Sequence, residues 1–209
     1  MPRKARSTIL YDGCYAHVFS RSIEKKFIFK EEEDLDAFGG LLLAAKRKFG
    51  FHIFHYCLLH THFHLAVGLG KLDDFSAAMK WLKWQYTQGY NREKKRRGTV
   101  WQGRFNSLVI EDENYLRACG LYIERNPIEA GIVARPIDWR YSSSRFYECG
   151  TKDSLVDRYE WGGVLPNLEG SSGKNFFEKG LGIGDALFQI HLKDGTYESM
   201  TVPEKVSVT

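Results

Sequence analysis

The first 150 residues predict an α+β domain in which helices pack on an antiparallel sheet, and three observations carry that expectation. Two β-rich runs, residues 51–59 and 62–69, are separated by so little sequence that they predict a hairpin. Residues 31–49 and 73–97, on either side of that pair, carry apolar residues at helical spacing. Strand-like segments lie outside both helices, YAHVFS at residues 15–20 before them and TVWQGRFNSLVIED after them. With one more short helix the order becomes β-α-β-β-α-β-α, which suits a ferredoxin-like sheet.

Each element has a local reason. Residues 1–14 are polar and basic and read as an arm, whose Arg3, Lys4 and Arg6 suit either a clamp or a solvated lead-in. In the first helix Leu35, Phe38, Leu41, Leu42 and Ala45 recur on one side, EEED sits where the helix dipole favours anions, and Gly50 is placed to stop it. The second helix carries Phe75, Met79, Leu82 and Tyr86 on one side and ends in the basic run Arg92–Arg97, beyond which Gly98 breaks the pattern. The third, residues 113–125, is expected to close at Asn126-Pro127, because the residue before a proline is pushed out of helical geometry. Beyond residue 150 the composition turns to WGGVLPNLEGSSGKN and weak periodicity, so residues 151–209 read as a C-terminal extension of unknown role. GLGIG at residues 180–184 lacks the spacing and preceding strand of a nucleotide loop.

A chain of 209 residues with 43% hydrophobic and 27% charged residues has the composition of one soluble globular domain. No apolar run approaches the roughly 18 residues of a membrane span, and MPRKARSTIL is not followed by a secretory core, so the expected compartment is the cytoplasm, with no membrane partner. Cys14, Cys57, Cys119 and Cys149 form no CxxC pair and read as reduced thiols. The net charge of +4 conceals an asymmetry: residues 1–150 hold 24 Lys and Arg against 17 Asp and Glu, residues 151–209 hold 6 against 9. The first 150 residues are therefore the part suited to meet a polyanion.

Within LLHTHFHLAV, residues 58–67, the strand period would project His60, His62 and His64 to one side. Two such imidazoles can converge on one metal ion, although buried or surface histidines without a metal account for the same pattern. A second cluster follows in YLRACGLYIERNPIEAGIV: Tyr122 and Asn126 stand four apart on one helix face, and Tyr115 lies two turns earlier on nearly the same side. Alone, each reads as a core edge or a helix terminator. Together they offer a nucleophilic phenol beside an amide oxygen able to complete a metal's shell.

In this context the sequence resembles the REP-associated tyrosine transposases, a branch of the single-tyrosine HUH transposases. The resemblance rests on CYAHVFSR, on His62-Phe63-His64, on VWQGRF at Val100 to Phe105, on EDENYL from Glu111, on YIERNPIEAGIV from Tyr122 and on DWRYSS, Asp138 to Ser143, in that order. It implies the HUH endonuclease fold and a metal-dependent single-strand DNA endonuclease and strand transferase that acts at repeat hairpins through a 5′-phosphotyrosine. It implies Tyr122 as nucleophile, His62, His64 and Asn126 as ligands of Mg²⁺ or Mn²⁺, and single-stranded or hairpin DNA as partner, bound by a monomer or a homodimer. His60-Thr61 stands where the family usually has Pro-Asn, which leaves His60 as a possible additional ligand.

For DNA contacts the candidates are Arg92, Lys94, Lys95, Arg96, Arg97 and Arg104 at phosphates, with Trp101 and Trp84 as base stackers or buried tryptophans. Two other readings compete: a domesticated module that holds hairpins without cutting them, and a hydrolase using His60, His62 and His64 with water. The chain lacks an HxHxDH arrangement, which weighs against the second.

Overall fold

The computed structural model describes residues 10–158; Arg3, Lys4 and Arg6 of the basic arm and the extension from residue 159 onward lie outside the described residues. Four strands, β1 (Tyr15–Arg21), β2 (His52–Leu59), β3 (His62–Gly68) and β4 (Asn106–Ile110), form one antiparallel sheet in the order β2-β3-β1-β4. The helices are α1 (Glu32–Phe49), α2 (Leu72–Glu93), α3 (Glu113–Glu129) and the short α4 (Ser144–Cys149). The expected order and the ferredoxin-like sheet are both found, with α4 added.

Strand alternation gives the sheet two different faces. Ala16 and Val18 of β1, Ile53 and Leu58 of β2, and Phe63, Leu65 and Val67 of β3 join Leu35, Phe38 and Leu42 of α1 and Phe75, Met79 and Leu82 of α2 in one buried apolar cluster. The opposite face, which carries His17, His64 and His55, is packed by α3. β1 lies between β3 and β4 and so places its alternate residues at the centre of both faces.

Helix ends follow cap chemistry. The carboxylate of Asp34 accepts the N–H groups of Lys30 and Glu31 at the start of α1, and Gly50, at φ 67°, ends it in the left-handed conformation that glycine adopts without penalty. The second helix stops earlier than its periodicity predicts. Lys95 turns left-handed at φ 49°, and the Arg96 N–H reaches back to the Asn91 carbonyl at 3.0 Å, a closing bond that leaves Lys94–Arg97 outside the helix.

The third helix runs later than predicted. Pro127 lies inside α3, and the N–H it lacks would have met the Ile123 carbonyl. The Asn126 side chain donates there instead, Nδ2 to the Ile123 oxygen at 3.3 Å and to the Tyr122 oxygen at 2.8 Å, so the helix continues to Glu129.

Residues 151–158, the described part of the extension, pack against the domain. Leu155 and Val156 are buried with the core, Tyr56 Oη donates to Asp153 at 2.7 Å, and Lys46 pairs with Asp157 at 2.7 Å. All four cysteines are free, and Cys14, Cys57 and Cys119 are buried. Among the described residues no helix is long and apolar enough to cross a membrane.

Candidate active site

The centre of the α3 face holds a histidine cluster built by strand register. Phe19 pairs with His64 and Arg21 with His62 across β1 and β3, which sets His17 diagonally beside His64. His17 Nε2 lies 2.9 Å from His64 Nδ1, and the two rings stack with centroids 5.1 Å apart. The His62 ring stands edge-on to His64 at 5.1 Å, and its Nδ1 is 2.8 Å from the Thr61 hydroxyl.

Tyr122 comes down onto this cluster from α3. Its ring meets His64 and His17 edge-on, each at 5.9 Å between centroids. Asn126 lies one turn on, with its Nδ2 committed to the helix carbonyls, so Oδ1 is the atom it can offer to a ligand. His62, His64 and Tyr122 thus form one chain of ring contacts, and Asn126 lies one helical turn beyond Tyr122 on α3. Tyr115 sits in the first turn of the same helix, its N–H bonded to Asp112 at 2.8 Å.

Burial governs the electrostatics here. It lowers His17 to about 3, and, together with the Arg21 charge, lowers His62 to about 4. His64 is held well below the usual imidazole range by burial and then by His17, His62 and Arg21. The Tyr122 phenol is pushed up by burial first and by the Glu129 carboxylate second, against smaller opposing effects of the Asn126 amide and Arg21. At neutral pH the cluster is a set of neutral imidazoles beside a protonated phenol.

Neutral imidazoles are what a divalent cation requires. His64 Nε2 is buried with no hydrogen-bond partner, and both His62 and His64 have Nδ1 engaged, which leaves Nε2 of each as the available donor. Among the described residues no group of three or more His, Cys, Asp and Glu side chains forms a cage for an ion. A cation here would therefore rest on two imidazoles completed by oxygen donors such as Asn126 Oδ1, a donor set that suits Mg²⁺ or Mn²⁺.

The structure corrects two site expectations. His60 does not share a side with His62 and His64, because His60-Thr61 is the hairpin turn and the alternation starts only at His62. Its Nδ1 lies 2.7 Å from the Phe29 carbonyl and its ring stacks on Phe27 at 5.2 Å. Trp101 is not available to stack on a base. It is 3% exposed, packs against Phe29, Phe38, Phe63 and Tyr86, and donates Nε1 to the Lys83 carbonyl at 3.2 Å.

Trp84, by contrast, is 56% exposed on α2. Arg92, Lys94, Lys95, Arg96, Arg97 and Arg104 are all exposed, and Arg92, Arg96 and Arg97 line a surface hollow with Gln88, Asn91 and Gly98. Lys94 pairs with Glu93 at 2.5 Å, and Arg96 lies 5.7 Å over the Tyr90 ring. This run leaves α2, on the layer opposite α3, so it does not face the histidine cluster directly. The segment at Trp101 runs beside the end of β1: Ser22 bridges to Trp101, and the Gln102 N–H donates to the Arg21 carbonyl at 2.9 Å.

Two site residues escaped the sequence reading, His17 and Arg21. Both lie in CYAHVFSR, and their odd spacing with Phe19 on a strand was the one signal that they share a face. Nothing local links that face to His62 and His64, which lie 41–47 residues further along the chain.

The family described as "Transposase IS200 like" matches residues 10–126, more than half of the chain. A Haemophilus influenzae protein assigned by name to the REP-associated tyrosine transposases is 33% identical over 119 residues, which are 51% of this chain and 64% of that protein, so the match spans less than two thirds of the relative's length. A solved REP-associated tyrosine transposase bound to a REP hairpin shares the fold, with TM-score 0.58 and 21% identity over 81% of this chain and 94% of that one. The chain belongs to the family of IS200-like transposases, and within it resembles the REP-associated tyrosine transposases.

Proposed function

We propose that this protein is a metal-dependent single-strand DNA endonuclease and strand transferase acting at repeat hairpins through a 5′-phosphotyrosine. One observation carries the reading: the ring of a half-buried tyrosine, Tyr122, meets the ring of His64, whose Nε2 has no hydrogen-bond partner. The hairpin substrate is suggested by the structural neighbour, which was solved on a REP hairpin.

A phosphodiester resists attack because its charge repels the nucleophile, so catalysis needs neutralisation and alignment. His62, His64 and Asn126 would hold a divalent ion, Mg²⁺ or Mn²⁺, which would supply positive charge to the reacting phosphate. Arg21, beside His62, adds a fixed cation at the same place. The Tyr122 oxygen forms the new bond to phosphorus as the bond to the 3′-oxygen breaks; the phenol proton leaves and the 3′-oxygen takes one up. The ester bond is exchanged rather than hydrolysed, so no ATP is needed and the reverse step can join a second strand.

The basic run from Arg92 to Arg97 and Arg104 would hold the sugar-phosphate backbone where it passes around the sheet end. Incubation with a single-stranded hairpin oligonucleotide and Mn²⁺ should give a covalent protein–DNA adduct that survives denaturing electrophoresis. The adduct should vanish in Tyr122→Phe. Binding without any adduct would instead establish a non-cleaving hairpin-binding module, and an adduct unchanged in Tyr122→Phe would move the nucleophile to Tyr115.

A further inference from the structure

We propose that His17 is a positioning residue that sets the tautomer of His64 and so turns its Nε2 into a metal donor. The inference rests on the metal reading above. Its basis is the 2.9 Å separation of His17 Nε2 and His64 Nδ1, deep in the sheet, where both residues are 1% exposed.

A neutral imidazole has one N–H and one lone pair, and only one hydrogen can lie between these two nitrogens. If the hydrogen belongs to His64 Nδ1, His17 accepts it, and His64 Nε2 keeps a lone pair for a cation. If it belongs to His17 Nε2, the remaining hydrogen of His64 sits on Nε2, and that atom cannot ligate. The pair therefore offers a cation a single nitrogen, His64 Nε2 in the first arrangement and His17 Nδ1 in the second. These are the two ring atoms of the pair that are buried without a partner.

His62 decides between them. Its Nδ1 is already engaged by the Thr61 hydroxyl, so its free donor is also Nε2. It stands two residues before His64 on the same strand and the same face, with ring centroids 5.1 Å apart. Only the first arrangement lets His64 offer the same ring atom, Nε2, that His62 has free on the neighbouring ring. Thr61 and His17 then play the same part for the two ligands, each fixing a ring from its Nδ1 side. A solvated neutral histidine side chain prefers its hydrogen on Nε2, so His17 inverts the intrinsic preference of His64.

Two measurements test this without DNA. Long-range proton–nitrogen NMR of the metal-free protein should show His64 as the Nδ1–H tautomer, shifting toward Nε2–H in His17→Phe. Calorimetric titration with Mn²⁺ should show His17→Phe about 10-fold to 100-fold weaker than the parent. His17→Gln, whose side-chain oxygen can still accept from His64, should recover most of that affinity; it also serves if His17→Phe does not fold.

An Nε2–H tautomer for His64 in the parent protein, or unchanged Mn²⁺ affinity in both variants, would overturn the proposal. Loss in His17→Gln as complete as in His64→Gln would make His17 the ligand and overturn it too. Adduct formation is read separately, so a parent protein that shows the Nδ1–H tautomer and binds Mn²⁺ yet forms no adduct refutes the cleavage reading alone.

Discussion

His55 Nδ1 and Glu124 Oε1 meet at 2.8 Å in the seam between β2 and α3, and both side chains are buried. Ser143 Oγ donates to the same carboxylate oxygen at 2.7 Å, and the His55 ring stacks on Tyr147 at 4.4 Å. Glu124 lies between Tyr122 and Asn126 in sequence, so this network ties the helix that carries the proposed nucleophile to the sheet that carries the histidines.

Removing one member should be costly, because it leaves the other polar group buried without its partner. Glu124→Ala is expected to lose about 3 kcal/mol, seen as a lower urea midpoint with an unchanged slope. Glu124→Gln, which still accepts a hydrogen bond, should lose less. Equal midpoints for all three proteins would show that the network does not hold α3.

Gly120 is where α3 passes over the same histidine. A Cβ there would come within 2.4 Å of the His55 ring, too close for either to keep its place. Gly120→Ala should therefore lower stability by about 1–3 kcal/mol despite alanine's better helix propensity. Because one ring is the obstacle, the combination with His55→Ala should cost less than the sum of the two single changes. Strict additivity by thermal denaturation would refute the clash.

Acid should destabilise the protein through its buried histidines. Their folded-state values lie below the ordinary 6.5, at about 3 for His17 and about 4 for His62, with His64 also lowered. Between those values and 6.5 the unfolded chain binds more protons, so their contribution is fully present above about pH 6.5 and is lost as pH falls. Each histidine adds a slope of about 1.4 kcal/mol per pH unit in that window. Urea unfolding from pH 8 to pH 5 should show the fall, and His17→Phe should flatten it; parallel curves would exclude His17 as a contributor.

The exposed cations beyond α2 should act through salt-dependent affinity. Replacing Arg92, Arg96 and Arg97 together by Ala should reduce the slope of log affinity for a single strand against log salt by about 2, at about 0.7 per lost phosphate contact. Fluorescence anisotropy between about 50 and 200 mM salt reads this directly. An unchanged slope would route the strand away from this hollow.

Local pattern was enough for the element order, the β2–β3 hairpin, the stop at Gly50 and the pairing of Tyr122 with Asn126 on one helix face. These depend on neighbours within a turn or a strand, so the chain states them directly. The second helix ends earlier and the third later than local pattern predicts, because each end depends on one specific bond. Arg96 N–H to the Asn91 carbonyl closes the former, and the Asn126 amide replaces the hydrogen bond that Pro127 lacks in the latter.

Strand alternation and helix spacing, properties of the chain alone, determined that His62 and His64 share a face and that a phenol and an amide stand one turn apart. Only the sheet order β2-β3-β1-β4 decided which face those histidines occupy, that His17 and Arg21 join them, that His60 turns to Phe29 and that Trp101 is sealed in the core. Pairing between strands far apart in sequence is selected by the burial of the whole apolar face at once, and no single segment carries that information.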